Sequence, residues 1–126
     1  MRGTSIKNLF TLILITGCIA ATCKNKNNDP IVKGKLIYRS CATVAIEILD
    51  REHFNLAQPD WTQENNTLIR HNVFAVSNQC EFPTMDTGTV FRFKIIAEGK
   101  NDCIVCMMFD NPPARKHMIK VVSQKD

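Results

Sequence analysis

No stretch of this chain is apolar over the ~20 positions that a membrane-spanning helix needs; the longest run, Leu9 to Ala21, has about 13. Also missing are the G-x-S-x-G, H-E-x-x-H, P-loop and glycine-rich dinucleotide patterns, so the sequence offers no warrant for the hydrolase, zinc-peptidase or nucleotide chemistries those spacings serve. His53, His71 and His117 are scattered, and the acidic residues show no spacing that would pair two carboxylates or surround a metal. The expectation is a protein that is not an enzyme and carries no cofactor. A strong charge of one sign is lacking too. The whole chain carries +4, and removing residues 1–22 takes away Arg2 and Lys7 but no acid, leaving 14 basic against 12 acidic residues and about +2. That is too weak for a dedicated polyanion binder, so nucleic acid is not an expected partner. Internal repeats and low-complexity tracts are absent.

What is present begins at the N-terminus. A basic start (Arg2, Lys7), the short apolar run and an abrupt change to Lys24-Asn25-Lys26-Asn27-Asn28-Asp29-Pro30 form an export signal over residues 1–22 followed by a polar tether over 23–30. Ile15-Thr16-Gly17-Cys18 resembles the lipobox of bacterial lipoproteins, in which an aliphatic and two small residues precede the cysteine that becomes lipid-modified. Ala20-Ala21-Thr22-Cys23 matches that pattern less well, since Thr22 is bulky. Cys23 nevertheless ends a run of ordinary signal length and is followed by a tether-like segment, so Cys23 is the expected anchor and Cys18 the alternative. The resemblance implies attachment to a membrane through lipid, in the cell envelope and most naturally at the outer membrane. A cleaved secretory signal without lipid is the other reading.

Residues 31–126 then make one small domain of the size at which disulfides commonly supplement the core. Its pattern is β. Ile31 to Ser40 predicts a first strand, with Gly34 marking a bulge or a close approach of another element. Val44, Ile46 and Ile48 alternate with Ala45, Glu47 and Leu49, predicting a hairpin partner. Asp50 to Asn72 is long, polar and rich in turn signals (Pro59, Asp60, Asn65-Asn66), with a short helical turn at His53 to Ala57. Val73 to Ser77, Thr89 to Ala97, Cys103 to Phe109 and Met118 to Val122 predict four further strands, and Asp110-Asn111-Pro112-Pro113 a break. Phe91, Phe93 and Ile95 should face a core while Arg92 and Lys94 face water; the alternative, a base-stacking platform, fits poorly with export and low charge.

Five or six short strands without a strong helix predict an all-β fold, a small antiparallel barrel or sandwich. Val32-Lys33-Gly34-Lys35, Gly88-Thr89-Val90-Phe91-Arg92-Phe93 and a cysteine-bearing strand near the end resemble the OB-type barrel of netrin-like domains. That resemblance implies the fold. The polar tether occupies the place where netrin-like metalloprotease inhibitors have an N-terminal cysteine, so their mode of inhibition does not carry over.

Four cysteines lie in the domain: Cys41, Cys80, Cys103 and Cys106. Export to an oxidising compartment favours disulfides. An extended Cys103-Ile104-Val105-Cys106 would point its two sulfurs to opposite faces, which argues against a mutual bond and for two bridges, each joining one of Cys103 and Cys106 to one of Cys41 and Cys80. The alternatives are a zinc site of Cys103, Cys106, His117 and Cys80 or Cys41, or a redox pair, disfavoured because Pro112-Pro113 prevents a helix from following directly. The candidate binding residues are Trp61, His53 and Phe54 in the 50–72 segment. Trp61 reads either as an exposed anchor for a partner or as a plug over an open barrel end. The functional expectation is a non-catalytic, lipid-anchored module that holds an unknown protein or small ligand; the runner-up is a secreted netrin-like domain that binds or inhibits another protein.

Overall fold

The first two strands follow from alternation and one glycine. The computed structural model describes residues 29–104 and 106–124; the signal and the candidate anchors Cys18 and Cys23 lie outside them. Strand β1 (Val32–Arg39) turns back into β2 (Val44–Ile48), pairing antiparallel from Arg39↔Val44 to Gly34↔Ile48. Val32, Leu36, Val44, Ile46 and Ile48 are buried on one side of this hairpin. Gly34 is the point of close approach: a Cβ there would stand 2.8 Å from Ile46 Cγ2 and 2.8 Å from Phe93 Cε1. The bulge lies further on, as a register shift between Leu36 and Tyr38, and it brings Ile37 and Tyr38 together on the outer face.

After a 3₁₀ helix (Arg51–Leu56), near where a helical turn was expected, come β3 (Gln58–Thr62) and β4 (Ile69–Val76), which pair antiparallel. A second 3₁₀ turn (Gln79–Glu81) leads to β5 (Val90–Ile96), and β6 (Lys116–Gln124) completes the sheet. The 50–72 segment is thus more regular than its polarity suggests. Its turn is made where Asn65 takes a positive φ of 61°, a conformation asparagine tolerates.

The sheet order is β2-β1-β5-β6-β4-β3, and β2 also pairs with β4, so β1, β2, β4, β6 and β5 form a barrel-like ring with β3 as an outer flap on β4. The expected all-β fold of five or six strands is therefore present, with antiparallel pairing throughout save one contact that an odd ring requires. Direction reverses at every antiparallel step, so five steps cannot return to the starting direction. The necessary parallel contact is β4–β6, only two residue pairs long (Ala75↔Lys116, Val76↔His117).

Asn78 extends this short seam. Its side chain is 1% exposed and imitates a strand residue: Nδ2 donates to the Ile119 carbonyl at 2.9 Å, and the Ile119 amide donates to Oδ1 at 2.9 Å. Nδ2 also donates to Glu81 Oε2 at 2.9 Å.

Inside the ring Phe91, Phe93 and Phe74 are fully buried, and their rings meet at centroid distances of 5.7 Å (Phe91–Phe93) and 5.4 Å (Phe74–Phe93). Each such side chain contributes on the order of 1.5–3 kcal/mol by leaving water. Arg92 between them is exposed, as expected. With both phenylalanines inside, no base can stack on them. A smaller cluster of Ile37, Ala45, Trp61 and Val73, joined by Tyr38, lies outside the ring. No described helix is long and apolar enough to cross a membrane.

Candidate functional site

Cys103 to Phe109 was expected as an apolar strand, and its described residues, 103, 104 and 106–109, form none. Within the 19-residue connection between β5 and β6 (97–115), these described residues are a loop whose large apolar side chains face water: Ile104 and Met107 are fully exposed, Phe109 is 86% exposed and Met108 54%. An apolar run becomes a strand only if a neighbour offers it a hydrogen-bonding edge and a face to cover. Here the edges of β5 and β6 are already used on each other. The run is held instead by covalent bonds and by polar anchors.

Cys103 is bonded to Cys80 in the second 3₁₀ turn, with Cα atoms 5.4 Å apart. Cys106 is bonded to Cys41 in the β1–β2 turn, at 5.6 Å. These are the crossed pairings expected, reached through a loop rather than through strand alternation. With all four sulfurs in bridges there is no thiolate for zinc or for redox exchange through a free Cys103/Cys106 pair. His117, the fourth proposed ligand, has Nε2 2.6 Å from the Leu56 carbonyl oxygen and its ring edge-on to Phe74. Among the described residues no three His, Cys, Asp or Glu side chains gather as a metal would require.

On the far side of the loop Asp110 is the anchor. Its carboxylate accepts from Ser40 Oγ at 2.6 Å, Thr43 Oγ1 at 2.7 Å and the Tyr38 hydroxyl at 3.2 Å. Ser40 Oγ in turn accepts the Thr43 amide at 2.9 Å, closing the β1–β2 turn around it. Desolvation works to raise the Asp110 pKa, but the three hydroxyl donors outweigh it and the group titrates below the ordinary carboxylate value. One residue further, the Trp61 indole donates to the Asn111 carbonyl at 2.7 Å and Asn111 Nδ2 donates to the Thr62 carbonyl at 3.0 Å. The Ala114 amide donates to Gln58 Oε1 at 2.8 Å. The loop tip is therefore gripped at Cys103, at Cys106 and from Asp110 onward, with the Met108 sulfur 3.7 Å from Cys41 Sγ, while Ile104, Met107 and Phe109 stand out into water.

This geometry relocates the candidate residues. Trp61 is not exposed: at 4% it is buried in the outer cluster, 5.9 Å from Tyr38 between ring centroids, where it plugs the outer face of the sheet and supports the loop through Asn111. It does not cover an open barrel end. Phe54 packs on the inner core, and His53 is largely covered, with Nε2 3.5 Å from Glu52 Oε1. Phe54 and Trp61 belong to separate clusters and share no binding face. The site residues not foreseen as such are Ile104, Met107 and Phe109, together with their anchor Asp110. The signal was available in Cys103 to Asp110: an apolar run containing two cysteines, closed by a carboxylate, in a chain whose β1–β2 turn carries Ser40 and Thr43.

The bridges belong to an oxidising compartment, outside the reducing cytoplasm. Comparison of the chain with protein-family models, with curated proteins and with solved structures finds no match.

Proposed function

We propose that this chain is a lipid-anchored, non-catalytic binding domain of a bacterial cell envelope, placed at the outer membrane through Cys23, or Cys18, and making its contacts through the loop tip Ile104 to Phe109 rather than through the 50–72 segment. The observation that carries the binding role is the full exposure of Ile104 and Met107 on a loop held by two bridges and by Asp110. Exposed apolar side chains cost solubility, and fixing them in one geometry by covalent means gives them an advantage only if a second surface covers them. The lipid anchor is supported by the lipobox-like segments and by the polar tether that follows.

Mass measurement of the mature N-terminus, together with Cys18→Ser and Cys23→Ser, tests the anchor. A lipid-modified cysteine should open the mature chain, and the double substitution should release a folded domain from membranes. Membrane association that survives the double substitution would refute lipid anchoring. A lipid-free N-terminus past residue 22 would favour the runner-up, a secreted netrin-like domain that binds another protein. Photo-crosslinking from position 107 in intact cells tests the binding role. Adducts that form equally well from exposed positions on β3 would refute it.

A further inference from the structure

Resting on the reading of the 103–109 tip as a contact surface, we propose that its partner is a serine endopeptidase with a deep apolar specificity pocket, and that the tip inhibits it by entering the active-site cleft as a substrate that is not released. The argument turns on what would happen if the loop were cut. Met107 is fully exposed and projects from the loop, whereas Met108 is half-covered, its sulfur 3.7 Å from Cys41 Sγ. A pocket that takes one large unbranched apolar side chain therefore meets Met107 first, and the peptide bond presented to the nucleophile is Met107–Met108.

Attack on that bond passes the Met107 acyl group to the peptidase's serine oxygen and frees the Met108 amine, which takes the proton the serine gave up. In an ordinary substrate the amine then diffuses away and water completes the hydrolysis. Here neither new end can leave. Met107 follows Cys106, bonded to Cys41. Met108 lies two residues before Asp110, which the hydroxyls of Ser40 and Thr43 in the β1–β2 turn and of Tyr38 in β1 hold, and its own side chain rests on the same bridge. The amine thus stays beside the acyl carbon, and its return attack, which re-forms the peptide bond and gives the proton back to the serine, competes with water at the effective concentration of a tethered group. Preorganisation also removes the ordering cost that a flexible substrate would bear on binding.

A lipid surface is the competing occupant, and the charges oppose it. The tip from Cys103 to Phe109 holds no lysine or arginine and is flanked by Asp102 and Asp110, which anionic headgroups repel. The tip also stands by Cys41, at the opposite end of β1 from the tether; eight residues at about 3.3 Å each separate them by some 25 Å.

The test uses the exported protein purified with its bridges intact, titrated against chymotrypsin-type, elastase-type and trypsin-type serine peptidases with chromogenic substrates. Stoichiometric inhibition of a peptidase with an apolar pocket is expected. Met107→Asp should weaken it by roughly 30-fold or more, the loss of a central contact residue, and Met107→Arg should redirect it to the trypsin-type enzyme. Because Met107 is fully exposed, both variants should keep the wild-type Trp61 emission. Replacing Cys41 and Cys106 by Ser should convert the inhibitor into a substrate cut after Met107. Rapid cleavage of the intact protein, or inhibition indifferent to position 107, would overturn the proposal. Flotation with phosphatidylethanolamine/phosphatidylglycerol vesicles separates this failure from that of the wider reading: Met107-dependent vesicle binding without inhibition overturns the peptidase but keeps a binding loop. Loss of neither function nor crosslinking on changing the tip would sink both.

Discussion

Replacing Asn78 by alanine should cost this domain a large share of its stability. The side chain spans the seam where β4 and β6 run out of register partners, and alanine would leave the Ile119 N–H and C=O without partners at a site where Ile119 is only 4% exposed. A buried polar group left unpaired costs about 1–3 kcal/mol. Two groups, with some relief from water entering the vacated space, put the loss at about 3 kcal/mol, against a total of ~5–15 kcal/mol for a domain. Urea unfolding followed through Trp61, the sole tryptophan and a buried one, provides the readout. With a slope of about 1.5 kcal/mol per molar for a domain this small, the midpoint should fall by about 2 M with the slope unchanged. Asn78→Asp refines the test. It keeps the shape but withdraws the donor from the Ile119 carbonyl and sets a second carboxylate against Glu81, so at neutral pH it should be at least as damaging as alanine. The folded state penalises the charged form and thereby raises the pKa of the new carboxyl; its deficit should shrink as pH falls through that raised value and the protonated group can donate again. A shift under about 0.5 M for Asn78→Ala, in the same units, would refute the view that this amide holds the ring closed.

Three other outcomes follow from the same structure. Asp110→Asn should destabilise the domain by about 2 kcal/mol, since hydrogen bonds to a charged acceptor are worth more than neutral ones; because the folded-state pKa of Asp110 is depressed, its contribution is complete above the usual carboxylate value and disappears as pH falls through the lower folded one, so the variant should show a flatter acid-unfolding curve in circular dichroism. Peptide mapping without reduction should recover Cys41–Cys106 and Cys80–Cys103, and removing them as pairs should cost about 4 and about 3 kcal/mol for loops closed over separations of 65 and 23 residues; a Cys103–Cys106 peptide would contradict the structure. Gly34→Ala places a Cβ 2.8 Å from both Ile46 Cγ2 and Phe93 Cε1, so a loss of about 1–3 kcal/mol in thermal or urea unfolding is expected from overpacking, and an unchanged midpoint would show that β1 can shift.

The strands that announce themselves in the sequence are those whose alternation coincides with one covered and one open face: the Val44-Ile46-Ile48 series and the Phe91-Phe93 series. β3 is silent because it reads Gln58-Pro59-Asp60 before Trp61, and as an outer flap it buries only the tryptophan. The first half of β4, with Arg70, His71 and Asn72, is equally polar because β3, not the core, is its neighbour there. The opposite error arises at Cys103 to Phe109, where apolar composition suggests a strand but the two strands that the loop connects, β5 and β6, already pair with each other. Trp61 looks exposed in a polar segment and is covered by Tyr38 and Asn111, residues remote in the chain. Asp110 is legible only as part of a turn-forming run; that its carboxylate is the anchor depends on hydroxyls 67 to 72 residues away.

The bridge between Cys41 and Cys106 also divides the chain in a way that neither the sheet order nor the loop makes obvious. It closes a covalent circle that contains β2, β3, β4 and β5 and, nested inside it, the Cys80–Cys103 link. Of the described strands, β1 and β6 lie outside, as two linear arms, and both find their place against the same strand, β5. Once oxidised, the chain folds as a circle with two arms: the long searches in sequence are already closed, and what remains is for each arm to zip onto one edge of a strand inside the circle. That shortens the effective separation of the most distant contacts and should speed refolding of the oxidised chain relative to the reduced one. It also makes the arms the units most easily detached without breaking the circle, so native-state hydrogen exchange should find opening of β1 or β6 below the free energy of global unfolding.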